Sequence, residues 1–467
     1  MDEATTIKGL WWLPDKPEKQ LVGELTYGPT SGARLSLLDH FFQQANFLPR
    51  TELNQFTVWG MTAKGQPVSL FNCSTDRLTM HSAGARVAEI SSYFGVVGGH
   101  FKSSDQMKFA KVTADLNHLH EWTWTSGIKV EYKNLMKGWQ VTQEMLPDVS
   151  LGSLGDFKLA LQFTGHLSPR HGDCKLSEDC TLKIETETLT DYESFQTIIH
   201  KFQHFVALGV SRPVYALSIR AYLDKPKQII QNHTFYEEFE IIRKISLSDD
   251  VRESLTPRKM QFCLSDLKPH PSEFIKRFFD KHKLLEPVCN LYLSTLYNQD
   301  MYTEQRFLAL AHAVEAYHRA FVGGKYQPNN EYQNGLQKIL WDATPKNLDA
   351  DFRSSLKNKL KYLHEFSLRK RVQDICAKFA AVLEPFLGDA AQFAGTVADQ
   401  RNLLTHPDST IEDRLPEKDW TEMWLKSEQL SLLLEVCLLH ELGFNEQAIL
   451  ALLPRNRRTE LIRLNKK

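Results

Sequence analysis

Up to about residue 260 the chain alternates apolar and polar positions. In GIKVEYKN, Ile128, Val130 and Tyr132 share one face, and Lys129, Glu131 and Lys133 share the other. DFKLALQFT repeats the layout with Phe157, Leu159, Leu161 and Phe163. A period of two predicts half-buried antiparallel strands. Similar runs lie at 20–27, 57–62, 67–72, 181–187, 214–222 and 234–242. TAKGQP (62–67) reads as a hairpin turn in which Gly65 supplies the backbone freedom a tight reversal needs. One amphipathic helix interrupts the pattern near 191–208, with Phe195, Ile198, Ile199, Phe202, Phe205 and Val206 as its stripe. Sequential strands with short turns and few helices predict a β-sandwich or curved sheet.

After LSDLKPHPSEF the period changes. Pro269 and Pro271 mark a boundary, and Ser272 is placed to cap the helix that follows. Across 303–321, Phe307, Leu310, Ala311, Val314, Tyr317, His318 and Phe321 form a broad apolar stripe, which Gly323 and Gly324 end. The stretch 350–387 reads as one long helix or two in tandem, and 389–404 as another. A strongly apolar helix at 419–442 is closed by Gly443, and a last short one spans 446–453. The expected architecture is α+β and multidomain, with an antiparallel β-rich domain over 1–265 and an all-α bundle over 270–467.

Composition narrows the class. The chain has 467 residues, 42% hydrophobic and 24% charged, as globular domains with sizeable cores require. A net charge of −1 argues against a general nucleic-acid coat protein but leaves room for local basic patches. The start, MDEATTIKGL, lacks the basic-then-apolar layout of a secretory signal. LSLLLEVCLLHEL is too short and interrupted to span a bilayer. Seven scattered cysteines, an odd number, suggest free thiols in a reducing compartment. The expectation is a soluble cytoplasmic protein without a membrane partner.

The chemistry-bearing stretch is ADQRNLLTHPDST (398–410). Arg-x4-His is a weak pattern and occurs twice, at Arg401…His406 and at Arg277…His282. The second copy lies inside a helix, where residues five apart diverge by about 140°, and it reads as a decoy. In the first copy Asn402 follows the arginine, and Pro407 biases His406 away from the helical region. The helix is then expected to end near Leu404, leaving His406 on a loop free to turn back. On the residues alone two readings stand. Either these groups form a catalytic set in a cleft between helices, or Arg401 and Asn402 satisfy the last helix carbonyls and His406 is a surface residue.

RNLLTH resembles the Arg-Asn-x3-His signature of HEPN-domain ribonucleases. The surrounding chain resembles the ApeA family of bacterial abortive-infection proteins, through IKGLWWLPDKPEKQLVGELTY, EQRFLALAHAVEAYHRAF and YLHEFSLRKRV. The likeness covers essentially the whole chain. It implies a β-rich sensor or regulatory domain followed by a HEPN helical ribonuclease, an anti-phage toxin that cuts host RNA (transfer RNA or another structured RNA) on a phage-encoded trigger. It also implies a homodimer or higher homo-oligomer, because one chain offers one such histidine and a two-fold dimer presents two. Some HEPN toxins carry a modified tyrosine two residues past the histidine; Asp408 stands there in this chain.

In that scheme Arg401 grips phosphate oxygens, His406 moves protons, and Asn402 holds the phosphate or the imidazole, with no metal or other cofactor. Glu315 stands where HEPN bundles often carry an acidic residue, which gives it a supporting role in orienting Arg401; a surface glutamate is the other reading. Arg369, Lys370 and Arg371, and a C-terminal cluster including Arg455 and Arg458, are RNA-backbone candidates or simply solvated faces. His166, His171, Cys174 and Cys180 are weighed as a zinc set on a long loop, though their spacing matches no CxxC knuckle. The glycines of YFGVVGGHF lack the context of a phosphate cradle. The competing function is a non-enzymatic module that binds a nucleotide or partner, with Arg401 and His406 in structural roles.

Overall fold

The alternating segments become strands that pair antiparallel in every ladder described. The structure, a computed structural model, describes residues 4–42, 55–79, 86–134, 138–230, 233–247, 254–405 and 420–465. The chain divides into two units, Met1–Phe279 and Asp280–Lys467.

In the first unit, β1 (Thr5–Leu13), β2 (Lys16–Gly28), β3 (Gly32–Leu38), β4 (Phe56–Thr62), β5 (Pro67–Thr79) and β6 (Val87–Ser92) pair in the order β5-β4-β1-β2-β3-β6. An additional β5–β6 pairing closes that order into a barrel. Trp11, Leu25, Leu35, Val58, Val68 and Cys73 fill its interior. Trp11 faces Gly60 across the β1–β4 ladder. A Cβ at Gly60 would lie 2.2 Å from the Trp11 ring, so only glycine lets the indole lie flat there. The expectation of a sandwich or curved sheet therefore changes. Closure depends on β5 meeting a distant strand, which the alternation within any one segment does not encode.

β5 also belongs to an open arm. Its residues Val68–Phe71 pair with β7 (Phe94–Val97), while Ser74–Thr79 pair with β6. The arm continues through β15 (His233–Arg243), β14 (Ala216–Ile230), β8 (Lys108–Leu116), β13 (Asp173–Asp191), β12 (Phe157–Arg170) and β11 (Val149–Leu154). The helix Tyr192–Val210 packs on this arm, capped by the Asp191 carboxylate accepting from Ser194 N at 2.9 Å. Its expected stripe is buried in full.

Two expectations in this unit are corrected. GIKVEYKN is a strand, β9 (Ile128–Asn134), but among the described residues it pairs only with β10 (Gly138–Gln143) in a two-stranded ribbon. Its apolar face is not half-buried: Tyr132 is 78% exposed and its cross-strand partner Trp139 69% exposed. The His/Cys stretch is not a long loop either. β12 and β13 pair through Arg170–Asp173, with the reversal at His171-Gly172 and Gly172 at φ 77°.

The second unit is helical, with helices at Thr303–Phe321, Asn329–Asn334, Leu336–Asp342, Ala350–Tyr362, Leu368–Lys378, Ala380–Leu387, Ala390–Thr405, Trp420–Leu442, Glu446–Leu452 and Arg457–Leu464. The helix Pro271–Tyr297 leads into it across the division between the units. The stretch 350–387 is three helices, broken where Ser367 caps a new start and where Phe379 leaves helical geometry at ψ 32°. Trp420–Leu442 is the central element, buried from Ser427 through Leu439 and again at Glu441 and Leu442. Helices this enclosed are normally apolar all round, yet this one carries Glu428, Glu435 and Glu441. Each is paired. Glu428 accepts from Arg306 at 2.7 Å and from Arg458; Glu435 accepts from Tyr292 at 2.6 Å, Asn456 at 2.7 Å and Arg458 at 3.1 Å. Glu441 accepts from Lys281 at 2.6 Å and Tyr317 at 2.9 Å. Among the described residues, no helix is long and apolar enough to cross a membrane.

Candidate active site

The helix Ala390–Thr405 presents the signature. The Asp389 carboxylate accepts from Gln392 N at 2.7 Å and starts it. Phe393, Ala394, Val397 and Ala398 then bury one stripe, the i, i+1, i+4, i+5 spacing of a helix docked on neighbours. Past that stripe, Arg401 is half-buried and Asn402 exposed. The helix runs one residue beyond the expected Leu404, to Thr405. Thr405 Oγ1 donates to the carbonyls of Arg401 at 3.0 Å and Asn402 at 3.3 Å. A threonine thus serves two carbonyls of the last turn. His406 and Asp408 lie outside the described residues.

Arg401 Nη1 donates to Asn402 Oδ1 at 3.1 Å, which ties the two signature groups together. Its Nε is buried without a hydrogen-bond partner, and among the described residues no carboxylate neutralises the guanidinium. Arg401 lines a broad open depression of about 1120 Å³. The other wall is the helix Ala350–Tyr362, which contributes Asp351, Ser354, Ser355, Asn358, Lys359 and Tyr362. A permanently charged planar fork with unspent donors, facing a hollow lined by polar and charged residues, is suited to two oxygens of a phosphate.

The other candidates are placed elsewhere. Glu315 accepts from Arg319 at 2.9 Å, one helical turn away, and that is its described ion pair. The Arg369, Lys370, Arg371 run splits three ways. Arg369 pairs with Asp399 at 3.0 Å on the helix that carries Arg401, and Lys370 pairs with Asp374. Arg371 is fully buried, donating to the carbonyls of Phe366 at 3.0 Å, Gly323 at 3.1 Å and Gly324 at 3.3 Å. A Cβ on Gly324 would lie 2.3 Å from Arg371 Nη1, so the glycine that ends one helix also admits this guanidinium. As a backbone contact for RNA, Arg371 is therefore corrected: its donors are committed inside the fold. Arg458 is likewise buried against Glu428 and Glu435.

Sequence reasoning missed His318 as a polar group. It sits within an apolar stripe, fully buried, with Nδ1 3.0 Å from Gly323 O and Nε2 3.2 Å from Asp374 Oδ2. Burial pushes its pKa down while Asp374 pulls it up. A histidine at a core-facing position was the available signal. The polar face of Ala350–Tyr362 was also missed, although Ser354, Ser355, Asn358, Lys359 and Tyr362 recur at helical spacing.

The zinc set does not converge. Cys174 and Cys180 lie six residues apart on one strand, about 20 Å at 3.3 Å per residue. Cys180 is buried opposite Phe163, whereas Cys174 is exposed. His166 Nε2 lies 3.0 Å from Asp179 instead. Among the described residues, no group of three or more His, Cys, Asp or Glu side chains could hold a metal ion. The decoy His282 is buried within the helix Pro271–Tyr297.

Comparison with known families agrees with the two-part layout. Residues 6–277 match ApeA N-terminal domain 1, more than half of the chain, and residues 308–448 match the Apea-like HEPN domain. No curated protein and no solved structure matches the chain. The HEPN match takes in both walls of the depression, Ala350–Tyr362 and the Arg401 helix. With both regions matched in order along one chain, this protein belongs to the ApeA family.

Proposed function

We propose that this protein is a HEPN-type endoribonuclease that acts in abortive infection, cutting host RNA when a phage component triggers it. The observation that carries the reading is Arg401: a guanidinium that no carboxylate neutralises among the described residues, tied to Asn402 and opening on a depression lined by polar and charged residues, five positions before His406. HEPN domains are generally ribonucleases, which sets the reaction class for such a site.

RNA carries its own nucleophile, the 2′-hydroxyl. A base takes the 2′-hydroxyl proton, the 2′-oxygen bonds to phosphorus, and the bond to the 5′-oxygen breaks. An acid returns a proton to that leaving oxygen, giving a 2′,3′-cyclic phosphate and a 5′-hydroxyl. His406 is assigned the proton transfers, since imidazole titrates near neutrality. Arg401 holds the negative charge that builds on the phosphorane oxygens, and Asn402 fixes the arginine's direction. A homodimer brings two such sets to one phosphate. Transfer RNA or another structured RNA is the substrate class.

The test is cleavage by purified protein, exposed to infected-cell extract as the trigger. Arg401→Ala and His406→Ala should each lower the rate by about 10²–10⁴-fold while the protein stays folded. Cleavage should survive excess EDTA and leave 5′-hydroxyl ends. Full cleavage by folded His406→Ala, or 5′-phosphate ends, would sink the assignment.

A further inference from the structure

The helix Ala350–Tyr362 forms a wall of the depression, yet none of its side chains is buried. Its attachment runs along one side. Tyr332 donates to Leu360 O at 2.5 Å, and Trp341 lies under the cations of Arg353 at 5.1 Å and Lys357 at 5.7 Å. Asp351, Ser354, Ser355, Asn358, Lys359 and Tyr362 follow i−3, i, i+1, i+4, i+5, i+8, which confines them to an arc of about 140° on the other side, with Asp351 in the first turn of the helix. That arc is the one facing Arg401's depression. The helix has one aspartate against one arginine and three lysines. Lys359 has no described ion pair, and Tyr362 is 56% exposed at the rim, with Lys361 Nζ 5.3 Å from its ring centre on one face and the other face left for a base. Among the described residues lining this hollow, the cations not committed to a carboxylate or a ring are therefore Arg401 and Lys359.

We infer that this helix face seats the RNA strand beside the phosphate held by Arg401, with Lys359 on a flanking phosphate and Tyr362 stacked on a base. The inference rests on the ribonuclease reading above and adds the seat of the strand: Lys359 and Tyr362 on this helix face. A tyrosine ring reaches a base face only where the base is out of a duplex. The serines and Asn358, short and hydrogen-bonding, line the path between these two contacts without narrowing it. The open shape of the hollow suits a strand that passes through, more than a small ligand enclosed on all sides.

The experiment uses the full chain. Binding is measured on the His406→Ala protein with a short single-stranded RNA and with the same sequence annealed as a duplex. Cleavage is measured on the otherwise native protein, with KM and kcat separated. Lys359→Glu should raise KM about tenfold with kcat little changed, and Lys359→Ala should lower the salt slope of single-strand binding by about 0.7 for one lost phosphate contact. Tyr362→Ala should weaken single-strand binding about tenfold, Tyr362→Phe should restore it, and duplex binding should not respond. No side chain of this helix is buried, so these variants are expected to keep the native circular dichroism and melting temperature. If the native protein cuts RNA and these variants keep its KM and salt slope, the helix face is not the seat and the nuclease reading stands. If they keep RNA cleavage and binding but lose phage protection, the face belongs to a protein partner and the inference is overturned. A native protein that neither binds nor cuts RNA removes both.

Discussion

The two units build their cores from different materials. Among the described residues, the polar residues that the first unit buries whole are uncharged groups and histidines, Ser69, Ser92, Asn117 and His204 among them, while its enclosed Glu178 carboxylate accepts from Ser126 Oγ at 2.6 Å and Gly127 N at 2.9 Å. The arginine and glutamates buried as whole residues lie in the second unit, at Arg371, Glu428, Glu435 and Glu441. A barrel closes its own backbone hydrogen bonds around a ring, so its interior needs little beyond shape. A bundle packs self-sufficient cylinders whose relative placement is left to side chains. Here carboxylates on the central helix reach arms from Lys281, Arg306 and Arg458, on three other segments. Such pairs add little net stability over an apolar core, but losing one partner strands the other.

That contrast predicts where each unit breaks. The largest effect is expected at Glu435→Ala, which leaves Arg458, Tyr292 and Asn456 without their shared acceptor. The loss should be about 3–5 kcal/mol, read as a lower denaturant midpoint for the helical unit alone. An unchanged midpoint would show that the paired charges are dispensable. In the barrel the corresponding injury is steric. Gly60→Ala drives a methyl into the Trp11 ring, and overpacking should cost about 1–3 kcal/mol. Combining it with Trp11→Leu should recover part of that loss; no recovery would mean the strain lies in the backbone.

A third prediction asks whether the two units also divide labour. Among the described residues of the first 260 or so we find no catalytic set, so their proposed task is to bias the nuclease between a silent and a competent arrangement. Tenfold activation requires about 1.4 kcal/mol of differential affinity for the trigger. Residues 270–467 expressed alone should be dimeric by light scattering and cut RNA without any phage component. A folded, dimeric but inert fragment, beside a full chain that cuts when triggered, would place the restraint within the helical unit.

The smallest effect is a pH dependence at Asp115 in the first unit, whose pKa is pushed up to about 6 by burial, with Asp179 adding to the rise and Arg220 opposing it. The folded state thus holds a proton that the unfolded chain, near 3.9, has released. Its contribution is fully present below about pH 4 and is lost as pH rises through about 6. Asp115→Asn should therefore gain on the order of 1 kcal/mol relative to the native protein at pH 7 and nothing at pH 4. Equal differences at both pH values would remove burial as the cause.

How much of this was legible beforehand follows from the range of each force. Helix 303–321 and the stripe of 192–210 were readable because a periodic apolar face reports burial whatever it packs on. The turn at Gly65 was readable because a positive φ, here 74°, has its chemical cause at that residue. The hydrogen bond from Arg401 to Asn402 was not, since the sequence assigns Asn402 to the phosphate or the imidazole and leaves side-chain directions open. Barrel closure was not, because β5 meets β6 and β7 through backbone bonds that every residue can make. The exposed face of Val130 and Tyr132 was not, because alternation says which side chains share a face and not whether a layer covers it. The fate of Arg369, Lys370 and Arg371 shows the limit most directly. Three adjacent cations look alike in sequence, yet a helix turns them about 100° apart, one onto Asp399, one onto Asp374 and one into the core behind Gly323 and Gly324. Sequence by itself determined that the first part of the chain is built from strands and the second from helices, and which residues form the signature, since those depend on local sterics and periodicity. Only the tertiary structure decided which charges stayed unspent, because a charge is neutralised by whatever lies within a few ångströms of it, at any distance along the chain.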